Sequence, residues 1–63
     1  MSIETQELAD QIRATARSIN ALSYKLRGHW HETQNEKSRA IGLDLLSQSM
    51  QLDDFAKEIE SRL

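Results

Sequence analysis

Sixty-three residues make one domain at most, and a chain this short buries too little surface to hold a large core by itself. It has no cysteine, which excludes disulfides and thiolate metal sites and leaves oligomerisation as the expected way to complete the core. A formal charge of −2 argues against blanket binding to nucleic acid.

Proline is absent and the only glycines are Gly28 and Gly42, which suits long helices and opposes a turn-rich β-sandwich. No apolar run is long enough to span a bilayer, so no membrane partner is expected. The segment Met1-Ser2-Ile3-Glu4 lacks the basic and apolar regions of a signal peptide, and a cytoplasmic location is the expected one.

The first element is predicted as a helix over about 3–27. Leu8, Ile12, Ile19, Leu22, Leu26 and Trp30, with Ala16, fall within one arc of about 80° at helical spacing. Ile12, Ile19 and Leu26 lie seven apart, a narrow seam of the coiled-coil kind. Ser2, Glu4 and Glu7 suit the positive end of the helix dipole, and Lys25 and Arg27 the negative end. Gly28 is the expected stop, because glycine accepts the left-handed conformation that closes helices.

The turn is then expected over about 28–33. Thr33-Gln34-Asn35-Glu36 reads as a capping box that starts the second helix, predicted over about 34–62. A competing reading carries helix 1 through Trp30 and puts the turn at 31–35. In helix 2, Ile41, Leu45, Leu52, Phe55, Ala56, Ile59 and Leu63 share a face, with Gln48 as the polar residue in the stripe.

Leu43, Leu46 and Met50 form a second apolar patch roughly opposite that stripe. Helix 1 has a faint counterpart in the small residues Ala14, Ser18 and Ala21. Two apolar faces on one helix imply two neighbours. The expected fold is therefore all-α: an antiparallel two-helix hairpin that dimerises into a four-helix bundle. Leu8, Ile12, Ile19, Leu22, Leu26, Ile41, Leu45, Leu52, Phe55 and Ile59 are its expected core and oligomer residues.

Four groups of residues bear on chemistry. His29-Trp30-His31-Glu32 holds two imidazoles and a carboxylate, but on a helix His29 and His31 point about 200° apart, unlike the i, i+4 pair that grips zinc from one face. A polar turn is the expected role, with no metal or other cofactor. Asp53-Asp54 with Glu58 and Glu60 reads as a solvated face, since a two-helix hairpin is expected to offer no pocket in which carboxylates do acid–base work.

Arg13, Arg17, Asn20, Tyr24 and Arg27 recur at spacings of four, three, four and three, which places them on one ridge of helix 1. No acidic residue occurs from Gln11 to His31. Such a ridge suits carboxylate or phosphate, through guanidinium forks and a tyrosine ring. Leu46, Met50 and Trp30 are apolar residues that anchor or adapt at interfaces. These eight are the expected partner-binding residues.

The stretch Ile19–Trp30 is similar to the first helix of the mini-ferritins, which ends near a His-Trp pair, and Asp54-x-x-x-Glu58 is similar to their acidic pair. That resemblance would imply iron oxidation, but a counterpart of the second ligand histidine is missing around Ile41. We read it as likeness between amphipathic helices.

No nucleophile–base pair or phosphate-binding glycine loop is present, so an enzyme is not expected. The expected function is a protein–protein interaction module, an adaptor, inhibitor or regulator that pairs with itself and with an unidentified protein. The alternative is an RNA-binding regulator using the arginine ridge, by fold analogy with small RNA-binding four-helix bundles.

Overall fold

The computed structural model describes residues 3–62, and two helices account for nearly all of them. Helix α1 spans Ile3–Thr33 and helix α2 spans Glu36–Ser61, joined by Gln34 and Asn35 alone. They pack antiparallel into a rod of 47 × 13 × 10 Å. Ser2, read beside the acids at the positive end of helix 1, and the last stripe position, Leu63, lie outside the described residues.

Helix α1 is six residues longer than the glycine predicted. Gly28 has no positive φ and sits inside the helix, with open space around its Cα. The chain reverses at Gln34, which takes the left-handed φ of 57° and donates its N–H to the Trp30 carbonyl over 2.7 Å. The basic residue of the last turn is accordingly His31, and neither Lys25 nor Arg27.

The cap also differs from the expected Thr33–Glu36 box. Asn35 is the N-cap, in extended conformation, and its side-chain oxygen accepts from the N–H groups of Lys37 and Ser38 at 3.0 and 3.3 Å. Thr33 belongs to the helix before: its hydroxyl donates to the His29 carbonyl over 2.7 Å and accepts from the Asn35 N–H. Two residues suffice for the turn because one αL residue and one cap satisfy the free groups of both helix ends.

The seam between the helices is made of small residues. Ala9, Ala16 and Ser23 on α1 are buried and seven apart, as are Gly42, Ser49 and Ala56 on α2, with Ser38 buried near the turn. A heptad repeat of small side chains lets two backbones come close. A Cβ added at Gly42 would stand 3.3 Å from the Ser23 carbonyl oxygen. Two of the buried hydroxyls are satisfied within their own helices, Ser23 donating to the Asn20 carbonyl and Ser49 to the Leu46 carbonyl, both over 2.8 Å.

The large apolar residues expected as the hairpin's core flank this seam and do not fill it. Ala16 and Ala56, read as members of the large stripes, are instead seam residues. The lane of Ala14, Ser18 and Ala21 is exposed on the outside of α1, away from α2. These positions lie about half a turn from the seam by heptad register, so they face neither Leu46 nor Met50.

Candidate interaction surfaces

A seam of small residues leaves both sides of the hairpin open, and the two sides differ in chemistry. In heptad register, one side collects Leu8, Ile12, Ile19, Leu22 and Leu26 of α1 with Ile41, Leu45, Leu52, Phe55 and Ile59 of α2. Ile12, Ile19, Leu26, Leu45, Leu52 and Ile59 are half-buried. Leu8 and Leu22 remain 48% exposed, Ile41 49% and Phe55 50%.

Antiparallel packing arranges this face in rows across the two helices: Leu8 with Ile59, Ile12 with Phe55, Thr15 with Leu52, Ile19 with Gln48, Leu22 with Leu45, and Leu26 with Ile41. The register agrees with the approach of Gly42 to Ser23 and Leu26. It agrees also with the 2.7 Å hydrogen bond between His29 Nδ1 and the Ser38 hydroxyl near the turn. Thr15 and Gln48, in adjacent rows, are the polar residues of an otherwise apolar surface.

The opposite side gathers the ridge residues. Arg17, Asn20 and Tyr24 line a shallow hollow with Leu46, Met50 and Asp53 from α2. Next to it, nearer the turn, Arg27, Trp30 and His31 with Arg39, Leu43 and Leu46 line an open hollow of about 440 Å³. A seam of small residues sinks this groove between two walls of long side chains. The eight residues nominated for partner binding thus share one side of the molecule. Sequence reasoning left out Arg39, Asp53 and Lys57, which reach this side from α2. Their i, i+7 relation to Leu46 and Met50 is the signal that would have found them.

Charge along this side is balanced. Arg13 is paired with Glu60 across the hairpin and lies 3.7 Å from Asp10, while Gln6 donates to both carboxylates. Arg17 and Lys57 line a third hollow with Asp53. Arg27 lies over the Tyr24 ring and Arg39 over the Trp30 ring, each 5.5 Å from the centroid. Arg39 is also 3.7 Å from Glu36. The Trp30 indole N–H is buried and has no hydrogen-bond partner.

His29 and His31 are split by the seam: His29 bonds Ser38 on the apolar side, and His31 lies tilted against Trp30 on the other, 4.7 Å between centroids. Among the described residues no group of three or more His, Asp or Glu is placed to hold a metal ion. Among them, too, no helix is long and apolar enough to cross a membrane. Asp54 and Glu58 are exposed on the outer face of α2, with Glu58 held by Arg62 at 2.8 Å. No family model, curated protein or solved structure matches this chain.

Proposed function

We propose that the chain is a non-enzymatic interaction module, a homodimeric four-helix bundle that presents its Arg-Tyr-Trp side to another protein. The observation that carries the reading is the apolar face from Leu8 to Ile59, half-exposed in the single hairpin. A lone hairpin is one layer of structure, whereas a stable domain buries its apolar faces between two.

The dimensions support a second copy as the cover. The hairpin exposes 4752 Å², against about 4100 Å² for a globular chain of this mass. Its radius of gyration is 14.5 Å, against about 11 Å for a compact domain of this length. The face is two helices wide and covers about 800 Å², the size of one half of a standard specific interface.

The opposite side is then free for a different partner. Its arginines ride on aromatic rings beside Leu43, Leu46 and Met50, which suits a protein segment bearing carboxylates and one apolar anchor. The Arg13–Glu60 pair and the Asp53 carboxylate beside Arg17 lower the positive potential that phosphate binding would draw on, which favours protein over RNA.

The test has two arms. Sedimentation equilibrium should give twice the chain mass at micromolar concentration. Affinity capture with the wild-type chain and with Arg17→Glu, each with and without nuclease, should yield a protein that survives nuclease and is lost with Arg17→Glu while helicity is unchanged. Capture that depends on intact nucleic acid, with affinity falling steeply as salt rises, would replace this reading with the RNA one.

A further inference from the structure

Two hairpins that cover each other's apolar faces about a two-fold axis have two arrangements, with their turns together or at opposite ends. We infer that the turns lie together, each α1 running antiparallel to the partner's α2, with Lys25 paired to the partner's Asp44 and Glu32 to the partner's Lys37. The inference rests on the dimer reading above and adds the orientation of the second copy.

The charges that decide it line the outer edges of the apolar face. Heptad register places Glu4, Gln11, Ser18, Lys25 and Glu32 along the edge of α1, and Lys37, Asp44, Gln51 and Glu58 along the edge of α2, all exposed. The two edges lie on opposite flanks of one hairpin, so they cannot neutralise each other within a chain. Among the described residues, Lys25, Glu32, Lys37 and Asp44 accordingly make no ion pair. A second copy laid on the face brings such edges together, as the e and g positions of coiled coils do.

With turns together, the two-fold axis runs along the bundle and leaves no freedom of register: each residue keeps the level that its own hairpin gives it. The rows put Lys25 level with Gly42, so the partner's Asp44 stands two residues away, about 3 Å along the axis. Glu32 and the partner's Lys37 have the same offset near the turns. Side chains lean toward the N-terminus of their own helix, which in these antiparallel neighbours closes that offset. Each pair occurs twice by symmetry. Gln11 and Ser18 meet the partner's Glu58 and Gln51, and Glu4 comes nearer to the partner's Arg62 than to its Glu58. No like charges face each other.

Turns apart set α1 against the partner's α1 and α2 against the partner's α2. An axis through the middle of the face then places Glu4 opposite the partner's Glu32 and Lys25 opposite the partner's Gln11. Only Lys37 gains an acid, the partner's Glu58. Sliding the copies to join Glu4 with the partner's Lys25 brings Asp44 toward the partner's Glu58. The hairpin's register ties its two edges together, so a gain along one is offset along the other. The charges of the arginine side lie a helix diameter or more from the partner, where salt screens them.

Dimerisation of charge variants, read by sedimentation equilibrium, tests the pairing. Lys25→Asp should weaken the dimer about ten-fold, as should Asp44→Lys, and the double variant should restore it. Rescue has no route within one chain, because the two residues stand on opposite flanks of the hairpin. Orientation is read separately. With no native cysteine, Glu36→Cys takes a nitroxide label beside the turn, on the arginine side, for distance measurement by pulsed electron resonance. Turns together predict about 30 Å between labels and turns apart about 50 Å, from the helix rise and width. A distance near 50 Å, or a double variant no tighter than the single ones, overturns the inference and leaves the dimer reading standing. A monomeric mass with no dipolar coupling overturns the orientation and the dimer reading together.

Discussion

Gly28 and Gln34 hold each other's expected conformations. Gly28 stands in an exposed helix interior, where its missing Cβ costs helix stability and nothing lies within 4 Å of an added one. Gly28→Ala should therefore raise stability by about 0.5–1 kcal/mol, read as a shift in the urea midpoint. Gln34 occupies the left-handed region, which costs a non-glycine residue about 1–2 kcal/mol. Gln34→Gly should recover about 1 kcal/mol by the same assay. Trp30 buries an unpartnered N–H, so Trp30→Phe should cost little stability, since the smaller ring loses contact area but also removes an unsatisfied donor. A loss near that of a Trp→Ala change, about 3 kcal/mol or more, would show that the indole N–H is satisfied.

At the scale of the element, the hairpin is held by a cap and a seam. Asn35 satisfies two N–H groups at the start of α2, and Asn35→Ala should cost about 1 kcal/mol. The seam tolerates polarity better than size. Ser49 bonds its own helix, so Ser49→Ala should be close to neutral in thermal unfolding. Gly42→Leu should instead force the helices apart, because even a methyl group there meets the Ser23 carbonyl oxygen at 3.3 Å. A cost of about 3 kcal/mol or more is expected, with loss of the cooperative transition; a folded Gly42→Leu variant of unchanged stability would contradict the close seam. The ion pairs add less. Arg13–Glu60 spans the hairpin but is partly solvated, and such pairs contribute about 0–1 kcal/mol.

For the whole molecule, stability and association are one equilibrium. If the apolar face is covered by a second copy, the unfolding midpoint rises with protein concentration. Leu22, half-exposed on that face and outside the seam, is the discriminating position. Leu22→Glu should weaken dimerisation by about 100-fold or more, because a carboxylate would be buried without a partner. The hairpin alone has little apolar burial, so this variant should also lose much of its helicity at low concentration. Arg17→Glu lies on the other side and should leave mass and helicity unchanged. A midpoint independent of concentration would mean that the single hairpin is stable unaided.

Much of this arrangement is legible in the chain. Two helices follow from the 3.6-residue periodicity and the missing prolines, and the two-sided character of α2 follows from Leu43, Leu46 and Met50 standing off its main stripe. The common side of Arg17, Tyr24 and Arg27 follows from spacing alone, since helical geometry fixes which side chains are neighbours, whereas Trp30, read with the leucine stripe, joins them only in the folded hairpin. Two features needed the tertiary structure. One is the end of α1: Gly28 permits a stop, but the Asn35 cap and the Trp30–Gln34 hydrogen bond make the later turn the better-satisfied one. The other is the seam. Large side chains lose water as readily against a second chain as against their own hairpin, so hydrophobicity cannot say which neighbour they cover. Backbone proximity decides it: the Ala9–Ala16–Ser23 and Gly42–Ser49–Ala56 repeats allow the closest approach within one chain, and that leaves the leucines and isoleucines facing outward.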